Sequence, residues 1–267
     1  MEESGMNCFS PRHWALFFDL FESLPRQGPG NRESAARALA MCGELPPAPR
    51  ILDLGCGVGG QTLHLSAMTS GLITAVDSHA PSLKRLRAVV ESRGLEDRIK
   101  VMEADMSSLD LPPWSFDLVW SEGALYNIGI ENALNLCRRL LRPGGALAFT
   151  DAVWLTDNPP KKIRDSFEAD YPEMGRAADL LAAIVRCGFE VLGHFTLPDE
   201  AWWDDFYTPM EEKIGEMRRK YAGDEEALSV LSDLAREPEM HRLYSSCYAY
   251  EFFVARKAEG AEGGSTA

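Results

Sequence analysis

The residues best suited to chemistry in this chain of 267 residues form a glycine-rich segment and the carboxylate that follows it. The segment, DLGCGVGG at positions 53–60, stands between a short β-rich run and a helix-like run. Glycines there let a ligand approach the backbone closely, and amides at the start of the following helix face that ligand. Asp77 ends the next β-rich run, where a carboxylate can accept hydrogen bonds from both hydroxyls of a ribose. The pattern therefore predicts a site for a ribose-containing cofactor.

Asp53 decides between two interpretations of this segment. Gly55, Gly57 and Gly60 satisfy the dinucleotide pattern GxGxxG, but a dinucleotide places a pyrophosphate beside the loop, where an extra carboxylate would repel it. S-adenosylmethionine instead carries a sulfonium and an ammonium, both positive, which a carboxylate favours. The alternative role for Asp53 is to cap the amides of the turn. We therefore favour the positively charged cofactor.

Alternating strands and helices must position these residues. Strands are predicted at 51–55, 73–77, 99–105, 116–121, 146–153, 189–197 and 248–256, and helix-length segments separate the first five. Such alternation predicts right-handed crossovers and a parallel sheet. Two helices precede the first strand, one capped by Ser10 with Pro11 at its first position and one capped by Asn31.

Aromatic residues mark the segments outside this alternation. Trp14, Phe17, Phe18 and Phe21 recur at helical spacing, which favours core packing over a role in lining a substrate pocket. A long helical insertion is predicted over 199–243. It contributes to a second aromatic set that suits a flat or cationic substrate, or simply a cap packed on the sheet, namely Trp154, Trp202, Trp203, Phe206 and Tyr207.

Five motifs in order resemble class I S-adenosylmethionine-dependent methyltransferases: ILDLGCGVGGQT (51–62), AVDSHA (75–80), MEADM (102–106), FDLVWSEGALYNIG (116–129) and LLRPGGALAFTD (140–151). The resemblance implies an α/β, Rossmann-like, doubly wound seven-stranded sheet with an antiparallel last strand, N-terminal helices and a helical insertion as cap. It also implies that S-adenosyl-L-methionine is the cofactor and S-adenosyl-L-homocysteine the product.

The same resemblance assigns cofactor contacts to single positions. The methionyl part would be surrounded by Asp53, Gly55, Cys56 and Gly57, and Gln61 from the same motif would also bind the cofactor. The ribose would bind Asp77. The adenine would lie beside Ser78 and His79, with Asp105 accepting from its amino group and Met106 packing on the ring. Ser121 and Glu122 would sit where the fourth strand opens onto the reacting methyl group.

A narrower resemblance, to bacterial methyltransferases of unassigned substrate, extends beyond these motifs. It rests on RQGPG (26–30), WSEGALYNIG (120–129), LPDEAWWDDFYTP (197–209) and LYSSCYAYEF (243–252). It implies that RQGPG folds over the cofactor, with Arg26 and Gln27 holding the methionyl carboxylate or acting as a gate. The alternative is a plain glycine–proline turn.

Glu122 and Tyr126 are the candidate catalytic residues. Glu122 stands just past an apolar strand, where it would orient the substrate or take its proton if burial raises its pKa. Its alternative role is a structural carboxylate that satisfies loop amides or the methionyl ammonium. Tyr126 follows in the same loop, where it would hydrogen-bond the substrate or only pack.

The composition and the terminal sequence argue against several other classes of protein. The formal net charge of −14 disfavours nucleic acid and an anionic membrane surface as partners. The five His and six Cys residues show no spacing typical of a metal site or a disulfide framework. The acidic start lacks a signal-peptide pattern and no run is long enough to span a membrane, so we expect a cytoplasmic protein.

The sequence thus predicts one methyltransferase domain over 1–257, composed of N-terminal helices (1–47), a cofactor-binding core (48–153) and substrate-side elements (154–257). A disordered tail is expected over 258–267. The predicted reaction is methyl transfer to a small molecule by in-line displacement. A non-catalytic binder of the cofactor or its product, and a protein-methylating enzyme, remain as alternatives, and the oligomeric state stays open.

Overall fold

A computed structural model describes residues 10–258, and a seven-stranded sheet forms their centre. The predicted tail, apart from Ala258, lies outside the described residues. The strands are β1 Arg50–Leu54, β2 Leu72–Asp77, β3 Ile99–Glu103, β4 Phe116–Glu122, β5 Leu141–Trp154, β6 Phe189–Thr196 and β7 Tyr248–Lys257. Their order is β3-β2-β1-β4-β5-β7-β6, with β1 to β5 parallel and β7 antiparallel to both its neighbours. The predicted Rossmann-like sheet with an antiparallel last strand is confirmed.

Helices cover both faces of this sheet and extend beyond it. They are α1 Pro11–Phe21, α2 Arg32–Met41, α3 Gly60–Met68, α4 Ala80–Ser92, α5 Ile130–Leu140, α6 Lys161–Glu168, α7 Ala177–Arg186, α8 Glu200–Trp202, α9 Thr208–Lys220, α10 Glu225–Leu234 and α11 Arg236–Tyr244. A π-helical turn, Trp203–Tyr207, connects α8 to α9. Ser10 and Asn31 cap α1 and α2 as predicted, since each side chain accepts a backbone N–H three residues on.

Alternation along the strands divides the core into two apolar layers. Ile51 faces a layer built with α2, α3 and α4, while Leu52 faces a layer built with α5 and α7. In the sheet between these layers, β1 and β4 are neighbours at the point where the strand order reverses. In doubly wound sheets, ligands bind at the carboxyl ends of the strands beside such a switch point.

A third apolar cluster forms the cap. It joins the inner face of α1 (Leu16 and Leu20) with α9 and α10 of the insertion and with Ala152 and Tyr248 at the sheet. The prediction that the aromatic stripe of α1 forms core is wrong for Trp14, whose side chain is 42% exposed. The fully buried positions are the leucines, which repeat at i and i+4, while Phe21 is partly buried against the same cluster.

Two strand boundaries differ from prediction by two residues or more. β5 begins at Leu141, five residues before the expected start, because Leu141 already pairs with Phe116 ahead of an irregularity in the β4–β5 register. β3 ends at Glu103, because Asp105 caps a 3₁₀ turn by accepting the N–H of Ser107. No helix within residues 10–258 is both long and apolar enough to cross a membrane.

Candidate functional site

The glycine loop lies between β1 and α3, directly at the switch point. Gly55 has φ +72°, and its N–H donates to the carbonyl of Val76 over 2.8 Å. A Cβ at Gly55 would overlap the Cβ of Ala124 and would come within 3.6 Å of Met106 Cε. Only glycine fits here, so the loop, the segment after β4 and Met106 together form a close-fitting cradle.

Asp77 is oriented by the loop. Its Oδ2 accepts the N–H of Gly57 and its Oδ1 accepts the N–H of His79, each over 2.8 Å. Each carboxylate oxygen retains further lone pairs, and the side chain is partly exposed at the carboxyl end of β2. The geometry suits hydrogen bonds from vicinal hydroxyls.

Asp53 is fully buried beneath the same loop. Thr62 Oγ1 donates to its Oδ2 over 2.5 Å and Gln61 Nε2 donates to its Oδ1 over 3.3 Å. Burial raises the pKa of Asp53 to about 7, although these hydrogen bonds act in the opposite direction. A positive group placed nearby would lower that pKa and favour the ionised form.

Arg26 and Glu122 join the 26–30 segment to the end of β4. Arg26 Nη2 donates to Glu122 Oε2 over 2.6 Å, while Trp120 Nε1 donates to Glu122 Oε1 over 2.8 Å. Both carboxylate oxygens of Glu122 are therefore engaged. Arg26 Nη1 is buried and, among the described residues, has no hydrogen-bond partner. That unsatisfied cationic donor is an open position for an anionic acceptor.

The 26–30 segment, called the strap below, lies across the glycine loop. Gln27 Oε1 accepts the N–H of Val58 over 3.2 Å, and Gln27 Nε2 donates to Ser82 Oγ over 3.2 Å. At its other end, the N–H of Gly30 donates to the carbonyl of Ala201 over 2.9 Å. The strap thus connects the cofactor loop to the cap.

The remaining predicted cofactor residues occupy different environments. Ser121 is fully buried, and its Oγ donates to the carbonyl of Leu54 over 2.8 Å, which links β4 to β1. Asp105 is exposed, and its hydrogen bonds from Ser107 lower its pKa. Ser78 is exposed beside Asp77. Cys56 is buried, and this burial raises the pKa of its thiol well above its usual range.

A cluster of tyrosines and carboxyls lies beyond the β4 loop, and the sequence identified only part of it. Tyr126 stacks on Tyr171 with ring centroids 4.9 Å apart, and the Tyr171 hydroxyl donates to Asp151 Oδ2 over 3.2 Å. The Tyr207 hydroxyl donates to Glu237 Oε1 over 3.3 Å. We call this set, completed by Tyr250, the cap cluster.

Sequence reasoning missed Asp151, Tyr171, Glu237 and Tyr250. One local signal was present, because Asp151 interrupts the apolar run ALAFTDAV of β5. The others carry no distinctive spacing. Residues 10–258 contain no group of three or more His, Cys, Asp or Glu side chains arranged to hold a metal ion.

Several known proteins that this chain resembles in sequence are methyltransferases. Residues 51–145 match the model of a family described as methyltransferase domain. The sterol 24-C-methyltransferase of Pneumocystis carinii is 29% identical over 154 residues, which are 53% of this chain and 40% of that protein. The sarcosine/dimethylglycine N-methyltransferase of Halorhodospira halochloris is 26% identical over 192 residues, 71% of this chain and 66% of that protein. The chain thus spans less than half the length of the sterol relative.

Among solved structures, the chain resembles a SAM-dependent methyltransferase from Geobacter sulfurreducens, crystallised with S-adenosyl-L-homocysteine. The TM-score is 0.78 at 20% identity, and the match covers 90% of this chain and 97% of that one. At this identity the likeness establishes the fold.

Proposed function

We propose that this protein is an S-adenosylmethionine-dependent methyltransferase acting on a small-molecule acceptor, because residues 51–145 match the model of a methyltransferase-domain family and the described chain has the class I fold. The observation that carries the proposal is the set of three charged groups around one glycine cradle. Asp53 lies beneath the loop, Asp77 is oriented beside it, and Arg26 reaches it with an unsatisfied donor.

The residues present fit the cofactor, and the unsatisfied Arg26 Nη1 is the most specific test of that fit. A buried guanidinium N–H without a partner costs free energy unless an acceptor arrives, and the methionyl carboxylate is such an acceptor. Gln27 would support it from the strap, and the methionyl ammonium would suit Asp53 with Gln61. We therefore assign the methionyl end to the space under the strap.

The other cofactor contacts follow from position. Asp77 would accept from the ribose hydroxyls, because the loop amides already fix its orientation. Ser78, Asp105 and Met106 would surround the adenine. Gly55, Cys56 and Gly57 would supply backbone, with Cys56 needed only for its small size.

When bound, S-adenosylmethionine supplies a methyl group on a sulfonium that leaves readily. The protein then has to hold the acceptor in line and exclude water, and proximity and orientation alone can contribute roughly 7–11 kcal/mol. The strap contacts both the glycine loop and the cap, and Tyr250 of the cap cluster contacts the β4 loop at Gly123, so these elements would enclose a cofactor and an acceptor held between them. That enclosure favours a small molecule over a protein side chain as acceptor.

Glu122 is better suited to positioning than to proton transfer in this arrangement. Its two oxygens already accept from Arg26 and Trp120, and its side chain is 2% exposed. We infer that Glu122 orients Arg26 toward the cofactor. Tyr126, in the β4 loop and partly exposed, is then the better-placed of the two predicted catalytic residues.

Three further assignments belong to the same proposal. Residues 1–257 would form a single domain, with the insertion as its cap. The protein would act in the cytoplasm. It would require neither nucleic acid nor a membrane.

Calorimetric titration of the purified protein with S-adenosylmethionine, S-adenosylhomocysteine and NADH tests the proposal. We expect micromolar binding of both sulfur compounds and none of NADH, followed by methylated product in a substrate screen. Binding without turnover on any acceptor would favour the non-catalytic binder. Failure of both sulfur compounds to bind would overturn the proposal.

A further inference from the structure

The carboxyl groups of the cap cluster are paired with tyrosine hydroxyls and a backbone amide. Among the described residues, Asp151 accepts only from the Tyr171 hydroxyl and the N–H of Ala152, and Glu237 accepts only from the Tyr207 hydroxyl. Neither carboxyl forms a salt bridge with any residue in the range 10–258. The ionisable groups that act on them from neighbouring elements are tyrosines and the acidic residue Asp170. The cluster is therefore a negative environment without a counter-charge.

Solvent reaches this environment at Glu237, whereas Asp151 is buried. Glu237 is exposed, yet burial raises the pKa of its carboxyl to about 7. A side chain that lines a concavity has both properties, because water reaches the carboxyl while protein lies on most of its sides. We therefore infer that Glu237 lines a concavity. Tyr126 and Tyr250 are likewise partly exposed while packed against the apolar cap.

The partly exposed rings of Tyr126 and Tyr250 line the same concavity. Tyr126 stacks on Tyr171 with centroids 4.9 Å apart, and Tyr250 makes a T-shaped contact with the buried ring of Trp202 at 5.2 Å. Aromatic faces attract a desolvated cation, and quaternary or protonated amines are the ligands recognised in this way. Carboxylates add charge-assisted hydrogen bonds to any N–H that the cation carries.

Tyr250 connects the cluster to the β4 loop. Its Oη and Cε1 lie 3.3 and 3.2 Å from the Cβ position of Gly123, the residue directly after Glu122. Its hydroxyl makes no hydrogen bond to any residue that the structure describes, and the side chain is partly exposed. Asp151 and Glu237 both act electrostatically on Tyr250, so this tyrosine links the carboxyls to the loop to which the methyl-bearing end of the cofactor is assigned.

We propose that the methyl acceptor is an amine, recognised in its ammonium form by Asp151, Glu237 and the aromatic rings of the cap cluster. This inference rests on the proposed function. A neutral apolar acceptor would leave both carboxyls without a counter-charge, and an anionic acceptor would be repelled by them. Only a cationic group satisfies both the charge and the rings.

The chemistry balances with one proton transfer. The bound ammonium gives one N–H proton to the carboxylate of Glu237 or Asp151, which frees the nitrogen lone pair. That lone pair forms the new N–C bond as the C–S bond breaks, and the electron pair of that bond remains on sulfur. A carboxyl whose pKa is near 7 is well matched to accept such a proton at neutral pH.

The test compares choline with its neutral isostere 3,3-dimethylbutan-1-ol, on protein saturated with S-adenosylhomocysteine, by saturation-transfer NMR titration. We expect choline to bind about tenfold more tightly or better, about 1.4 kcal/mol. Glu237→Gln should reduce the preference to about twofold or less, and Asp151→Asn provides a second variant if the first is unstable. Glu239→Gln, on the same helix and exposed, is the matched control and should retain the preference.

Two outcomes separate this inference from the proposed function. Equal affinity for the two probes, or binding of neither while S-adenosylhomocysteine binds, would overturn the amine assignment and leave the methyltransferase proposal intact. Failure of S-adenosylhomocysteine to bind would overturn the proposed function and the inference with it. Preference for choline that survives in both Glu237→Gln and Asp151→Asn would also exclude the cap cluster as the cation site.

Discussion

The guanidinium of Arg26 and the carboxylate of Glu122 form a 2.6 Å ion pair in which the two side chains are 5% and 2% exposed. The pair joins the strap to the end of β4 across 96 positions of sequence. Breaking a buried pair by removing one partner typically costs 3–5 kcal/mol, because an uncompensated charge is left behind. The strap over the cofactor loop should therefore depend on Glu122.

Glu122→Gln should lower both stability and cofactor affinity. The amide loses the ionic partner of Arg26, so we expect a loss of about 3 kcal/mol or more and at least tenfold weaker binding of S-adenosylhomocysteine. Thermal unfolding and calorimetry measure the two effects. The matched control is Glu211→Gln, which removes an exposed pair with Arg242 of the same 2.6 Å length and should change neither quantity appreciably. Normal affinity with lost turnover would instead assign Glu122 to the substrate.

Gly30→Ala should disturb the same pair by steric overlap. Gly30 has φ +146°, and an added Cβ would overlap Arg26 Nη2 and Glu122 Oε2. We expect a lower unfolding temperature and weaker binding of S-adenosylhomocysteine. Gly28→Ala is the control within the strap, since an added Cβ there meets nothing within 4 Å. Equal behaviour of the two variants would show that the strap does not depend on close packing at the ion pair.

Local patterns predicted the parts of this structure that depend on short stretches of chain. The glycine loop, Asp77 and each single strand or helix occupy a few consecutive positions. The switch point then follows from the parallel order of the strands. The expectation of core packing fails for Trp14 on α1 because leucines and aromatics share the helical period. The cap cluster combines residues 126, 151, 171, 207, 237 and 250 from six separate segments. No spacing rule connects such distant positions, so only the folded chain reveals them.

Asp77→Ala should weaken cofactor binding by about 1–3 kcal/mol, which is the range for losing charge-assisted hydrogen bonds. The carboxylate holds the amides of Gly57 and His79 and would accept from the ribose hydroxyls. Calorimetry with S-adenosylhomocysteine measures the change, and Glu91→Ala on the exposed side of α4 is the control. Unchanged affinity in Asp77→Ala would remove the ribose assignment.

Asp53→Asn should make the cofactor-free protein more stable at pH 8. Burial raises the folded-state pKa of Asp53 from 3.8 to about 7. The stability that the protonated carboxyl contributes is therefore complete below the unfolded pKa near 4 and is lost as pH rises through 7. Asparagine carries no charge and avoids that loss. Unfolding temperatures at pH 5 and pH 8 measure the effect, and a variant that is less stable than the native protein at pH 8 would contradict it.

Cofactor binding should release a proton from Asp53. At pH 6.5, a carboxyl with a pKa of about 7 is about three-quarters protonated. A methionyl ammonium or sulfonium beside it lowers that pKa, so the proton must leave when S-adenosylmethionine binds. Calorimetric titrations in buffers of different ionisation enthalpy give the number of protons released, expected to be about 0.5 or more at pH 6.5 and near zero at pH 9. Asp53→Asn should abolish the release, whereas Glu237→Gln should retain it, because Glu237 lies in the cap cluster. S-adenosylhomocysteine, which lacks the sulfonium charge, should release no more than S-adenosylmethionine does. Proton release that persists in Asp53→Asn would place the responsible group elsewhere and remove Asp53 from the cofactor's positive end.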